Sequence, residues 1–182
     1  MVIYMYYLNV FFICSMLGYG METFLKCFFF KSMNNGILFG PWIPIYGFGA
    51  IIIVFITDYV FKKSRLSKLK RVSKIIITVL FSMAILTFME WCAGNLIELL
   101  WGKVFWDYSD LKYNFGHYIA LEISLVWGIF ILIFMYVLRP LIDKFIKKIP
   151  RFISYLVLVL FIIDCILTCF LIEKRFLLQV EV

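Results

Sequence analysis

Long apolar runs dominate this chain, and no soluble fold can hide them. Five reach the length that a bilayer core of about 30 Å asks of a helix rising 1.5 Å per residue, roughly 20 residues. They cover residues 4 to 30, 43 to 61, 74 to 101, 117 to 138 and 151 to 172. With 65% of its residues apolar and 20% aromatic, the sequence needs lipid as its solvent. In hydrocarbon every backbone polar group must be paired internally, and the runs are too long and continuous for barrel strands. The expected fold is all-α: a polytopic transmembrane helical bundle of about five spans, with room for a sixth, re-entrant segment. It should form a single transmembrane domain over residues 1–182, since no repeat, soluble domain or low-complexity linker interrupts it.

Charge sets the expected orientation. The formal net charge of +7 falls mainly in two short connectors rather than over a surface, so nucleic acid is not an expected partner. One connector carries Lys62, Lys63, Arg65, Lys68, Lys70, Arg71 and Lys74; the other carries Arg139, Lys144, Lys147, Lys148 and Arg151. The positive-inside rule puts both in the cytoplasm together with the N-terminus, and connectors 31–42 and 102–116 outside with the C-terminus. Lys174 and Arg175, at the outer end of the last run, oppose this and keep the re-entrant segment open. Residues 1 to 25 hold neither Lys nor Arg and their apolar stretch outruns a signal-peptide core, so a retained anchor is expected. Cys14, Cys27, Cys92, Cys165 and Cys169 lie in or beside apolar stretches without C-x-x-C spacing. They read as small hydrophobes, and no metal or cofactor is expected.

Ionisable groups inside spans cost about 2.5–3.5 kcal/mol each at mid-helix and are usually retained for function or pairing. Glu22 lies in the outer part of span one, Glu90 and Glu98 in that of span three, Glu122 one turn into span four, and Asp164 near the middle of span five. At about 100° per residue Glu90 and Glu98 stand about 80° apart and can face one inter-helix space, with Asn95 farther round. One reading has these acids line an outward-facing pocket for a cation, an amine or a polar headgroup. In the other each is neutralised locally: Glu22 by Lys26, Glu98 by snorkelling, Glu90 by protonation or neighbouring hydroxyls.

Two aromatic segments flank these acids. Gly36 to Gly49, containing Gly-Pro-Trp-Ile-Pro-Ile-Tyr-Gly, combines prolines suited to a first helical turn with glycines that allow close approach. It could offer helix-start N–H groups to an anion, or simply anchor Trp42 and Tyr46 in the aromatic belt. Trp106-Asp107-Tyr108-Ser109-Asp110, followed by Asn114 and Gly116, is a compact loop that could lie over the acids as a lid, or serve as an interfacial belt with an Asx turn. His117, the only histidine, reads as an interfacial residue rather than a base, since no nucleophile stands out beside it. The chain has no G-x-x-x-x-G-K-[ST], H-E-x-x-H or G-x-S-x-G string. Any ATP-driven step would need a separate ATPase subunit.

In this order, four elements carry a resemblance: Gly18 to Glu22; Gly40-Pro41-x-x-Pro44-Ile45-Tyr46-Gly47-x-Gly49; Glu90 through Gly94 to Glu98 leading into Trp106-Asp107-Tyr108-Ser109; and Asn114-x-Gly116 leading to Ser124-x-x-Trp127-Gly128. The chain resembles the Putative ABC-transporter type IV permease family of small bacterial polytopic membrane proteins. The resemblance implies a permease-like component of the bacterial cytoplasmic membrane and marks Glu22, Glu90, Glu98, Asp107 and Asn114. It does not extend to His117, where Arg is frequent in the family, or to Glu122, where an apolar residue is usual. Three functions follow as expectations. The first is a transport component in contact with membrane lipids, taking a small polar or cationic solute at Glu22, Tyr46, Glu90, Asn95, Glu98, Trp106, Asp107, Tyr108 and Asn114. The second is a membrane enzyme on a lipid headgroup, with Glu90 or Glu98 as base and Asp107 as partner. The third is a non-catalytic partner whose acids only lock helices together.

Overall fold

The computed structural model describes residues 3–25, 27, 36–63, 65–102 and 104–180, with side chains for all of these except 25, 63 and 172–180. The helices are α1 (Ile3–Leu25), α2 (Pro44–Asp58), α3 (Arg71–Trp101), α4 (Leu121–Ile133), α5 (Arg139–Ile146) and α6 (Arg151–Val180). Two-residue strands β1 (Asn114–Phe115) and β2 (Ile119–Ala120) pair antiparallel, Asn114 opposite Ala120 and Phe115 opposite Ile119. Five stretches are long and apolar enough to cross a membrane: Ile3–Phe24, Pro44–Lys62, Arg71–Trp101, Leu121–Ile146 and Arg151–Leu171. The chain is thus an all-α, multi-pass membrane protein.

Span four differs most from its sequence expectation of 117 to 138, starting four residues later and running eight residues further. Residues 117–120 are drawn into the β1–β2 hairpin, and Ala120 enters α4 with extended dihedrals. At the other end, the charges after Leu138 do not stop the helix. Pro140 cannot donate a backbone hydrogen bond and would clash with the preceding turn of a regular helix. A π turn at Phe134–Leu138 absorbs the misfit, the Arg139 N–H reaching five residues back to the Phe134 carbonyl, and α5 continues. Part of span one's expected end, residues 28–30, lies outside the described residues.

The chain divides into two compact units, Met1–Ala50 with Ile142–Val182, and Ile51–Leu141. In the first, small residues allow close packing of α1 on the start of α2. The place of a Cβ on Gly18 is filled by the Tyr46 ring, and that on Gly47 by Ser15 and Phe11. From α6, Phe161 meets Phe11, Phe12 and Trp42 edge-on at 5.5, 5.5 and 5.7 Å, and Ser154 hydrogen-bonds Asn9 at 2.8 Å.

In the second unit, α3 is apolar toward lipid, exposing Ile76, Leu80, Phe81, Phe88, Leu96 and Leu99. Its buried residues are Thr78, Ser82, Leu86, Glu90 and Gly94, every fourth position, which places them on one i±4 ridge. Against α3 packs α4, with Ser124, Gly128 and Ile131 buried. Thr87 donates to Ser124 at 2.9 Å, and Gly128 leaves room for Met83 and Val79. Arg139 pairs with Asp58 at 2.8 Å, and Lys62 pairs with the same carboxylate at 3.0 Å.

Candidate functional site

In the second unit α3 stops at Trp101 because Gly102 adopts a left-handed conformation (φ 62°) and its N–H caps the Glu98 carbonyl at 2.7 Å. The chain then folds back as a cap over residues 104–120. The Tyr108 N–H bonds the His117 carbonyl at 2.8 Å, and the Leu121 N–H bonds that of Tyr113 at 3.0 Å. Gly94 provides the seat: a Cβ there would fall 2.5 Å from the Tyr118 ring. Tyr118 is thereby buried against α3, and Trp106 stacks edge-on to it at 5.8 Å.

Beneath the cap sits Glu90, 6% exposed. One carboxylate oxygen accepts the Tyr108 hydroxyl at 2.8 Å, and the other accepts the Trp127 indole N–H at 3.0 Å. Both donors are neutral, and among the described residues no Lys, Arg or His pairs with Glu90. Two turns on, exposed Glu98 accepts the Tyr118 hydroxyl at 2.8 Å. Burial first, then the Glu98 carboxylate, pushes the Tyr118 phenol up to about 12. Cap and acids are therefore joined by two tyrosines, one for each carboxylate.

The remaining predicted residues hold the cap together or stand apart from it. Asp107 accepts the side chain and the backbone N–H of Ser109, and these bonds, followed by that from His117, hold its carboxyl below the usual range. Ser109 Oγ also lies 2.9 Å from His117 Nδ1, a partner for the histidine that sequence reasoning missed. A Ser–His–Asp relay needs serine and aspartate on opposite ring nitrogens. Here both meet Nδ1, the geometry of a loop lock. The Asn114 amide donates to the Ser109 and Leu111 carbonyls at 2.6 and 2.8 Å. Glu122 accepts the Tyr113 N–H at 3.1 Å, in the first turn of α4 where the helix dipole favours an acid. Asn95 is exposed, its amide on the Trp91 carbonyl one turn back.

In the first unit, Glu22 accepts the Tyr46 hydroxyl at 3.1 Å; Lys26, its expected partner, lies outside the described residues. The glycine- and proline-rich segment does present N–H groups to an anion, and that anion is Asp164 of α6. Phe39 N and Gly40 N donate to its two oxygens at 3.1 and 2.9 Å, and the Trp42 indole joins Gly40 on the second. Asp164 is 7% exposed. Irregular backbone at membrane depth is tolerated only where protein satisfies it, and Asp164 does so for this loop.

Three partners were absent from the predicted set: Trp127, Tyr118 and Asp164 in its loop-binding role. For Trp127 a signal existed, since an indole N–H in an apolar helix seeks an acceptor. For the loop the signal was pairwise, an acid with no cation within two turns of it in its own span and a segment with N–H groups to spare.

The family profile described as Putative ABC-transporter type IV matches residues 9–169. No curated protein matches the chain, and no solved structure does.

Proposed function

The chain belongs to the Putative ABC-transporter type IV family and is a transport-related membrane protein. We propose on that premise that it is the membrane-embedded component that binds a small cationic or polar solute at Glu90 and Glu98, beneath the 104–120 cap. One observation carries the reading: Glu90 is a buried carboxylate whose hydrogen bonds come from two neutral donors, Tyr108 and Trp127, with no cationic side chain to balance it among the described residues. Such a group favours a positive ligand, because a cation arriving there offsets a charge already removed from water. Glu98, exposed and held by Tyr118, is the entry carboxylate. Trp106 and Tyr108 are the lid, and Asp107 and Asn114 fix its shape. Glu22, which accepts the Tyr46 hydroxyl, belongs to the first unit, and Asn95 lies at the lipid- or water-facing edge of α3.

The lysine- and arginine-rich connectors support a cytoplasmic N-terminus in a bacterial cytoplasmic membrane, with membrane lipids around the spans and a separate ATPase chain supplying energy. The lipid-headgroup enzyme reading gains nothing from the Asp107–Ser109–His117 geometry. The test is a thermal-shift screen of the purified protein against alkali cations, primary amines and quaternary amines. At least one class should raise the melting temperature of the native protein and leave Glu90→Gln unmoved. Equal shifts in both proteins for every compound would refute the site.

A further inference from the structure

The buried ridge of α3 contains two groups that the solute site does not use. In order from the basic end, the i±4 series runs Lys74, Thr78, Ser82, Leu86, Glu90 and Gly94, buried from Thr78 onward. Lys74 marks the aqueous end, lying over the Phe61 ring and within 3.4 Å of the Ser67 carbonyl. Thr78 and Ser82 are both 0% exposed, and neither hydroxyl has a hydrogen-bond partner among the described residues. Helical hydroxyls ordinarily solve this by bonding back one turn, as Thr23, Thr57 and Ser124 do here. Thr78 and Ser82 do not, so each turns a donor and an acceptor into the packed face that also carries Glu90.

We infer that Thr78 and Ser82 are steps of a buried water path that carries protons between the basic end of α3 and Glu90. Neighbours on an i±4 ridge are separated by about 6 Å of rise, close to two O–H···O distances of about 2.8 Å, so a single water between the two hydroxyls would span the gap. A hydroxyl suits a proton better than a metal cation here, because it both donates and accepts, whereas a cation needs a shell of several oxygens. Along such a chain each oxygen takes one proton and passes one on. The net step breaks an O–H bond of a hydronium at the aqueous end and forms one on the Glu90 carboxylate. Tyr108 and Trp127 face that carboxylate with neutral donors, so it can be discharged without leaving a charged partner behind. Leu86 is the single apolar step, and water crossing it is the gate. The inference rests on Glu90 being a working carboxylate, and it adds the proton as the species exchanged there.

Two measurements test it on the full chain in native membranes. On a background lacking the native cysteines, Thr78→Cys and Ser82→Cys should react with a small methanethiosulfonate reagent at least tenfold faster than lipid-facing Leu80→Cys, because only a hydrated thiol ionises to react. Separately, the infrared carboxyl band lost in Glu90→Gln should exchange in deuterium oxide at least tenfold more slowly in Thr78→Val/Ser82→Ala. Labelling no faster than at position 80, or exchange unchanged by the double substitution, overturns the path. Neither readout needs a solute, so a failed solute screen with both results positive would sink the binding site and leave the path standing.

Discussion

Asp164→Asn tests whether the loop before α2 is held by charge or merely packed. Asparagine keeps the shape but has one carbonyl oxygen where aspartate has two. With that oxygen toward Gly40 and Trp42, the amide NH2 faces the Phe39 N–H, leaving a buried donor unsatisfied at about 1–3 kcal/mol. The two remaining bonds fall from charge-assisted to neutral strength, a loss of about 1 kcal/mol each. Relief of a desolvated charge opposes these terms, but three N–H donors converge on the carboxylate, so the losses should win by about 3 kcal/mol. For a chain of this size that lowers the melting temperature by roughly 6–12 °C, measured by tryptophan fluorescence in detergent. Trp42→Phe should cost less alone, and little more when added to Asp164→Asn, because the acceptor is already weakened. An Asp164→Asn protein that melts within about 2 °C of the native one, or above it, would refute the charge-held loop.

Gly94→Ala should displace the Tyr118 ring and destabilise by about 1–3 kcal/mol, whereas Gly20→Ala, with nothing within 4 Å, should be neutral or stabilising by up to about 1 kcal/mol; paired melting curves check this. The raised Tyr118 phenol favours the protonated native state, so its contribution is complete below pH 10 and lost as pH rises toward 12. The ultraviolet phenolate difference between the native protein and Tyr118→Phe should appear about two pH units later than for an ordinary tyrosine. Single cysteines at Ser67 and Lys147 should be protected from impermeant thiol reagents in intact cells while one at Ser109 is labelled; external labelling at Ser67 would invert the orientation.

Much of the fold could be read from hydropathy, because bilayer thickness translates directly into helix length and backbone pairing forbids other forms. The ends were harder. Span four starts late because Tyr118 and Ala120 serve the cap, and it runs on because a π turn accommodates Pro140, neither of which hydropathy records. In the candidate site, acids and aromatic loops stood out as residue types, but their pairing did not. Tyr108 and Trp127 are separated from Glu90 by 18 and 37 residues, and Asp164 from Gly40 by 124. Asn95 was set farther round the helix than Glu90 and Glu98, and helical angle could not reveal that its amide is occupied by its own helix. Thr78 and Ser82 stand i, i+4 in the sequence without drawing notice there, since only burial separates an inward hydroxyl from one that bonds back along its helix.

The claim that Glu90 and Glu98 work as ligands rather than as helix locks is tested most directly by the Glu90→Gln/Glu98→Gln double variant in a cellular complementation assay, with membrane insertion quantified in the same cells. Glutamine keeps the shape and removes both charges, and at Glu90 its carbonyl can accept the Trp127 N–H while its amide donates to the Tyr108 hydroxyl, so a purely structural role should survive the change. The account predicts a protein that inserts and purifies at native levels and fails to complement. Full complementation by the inserted double variant would contradict it and leave packing as the role of these acids.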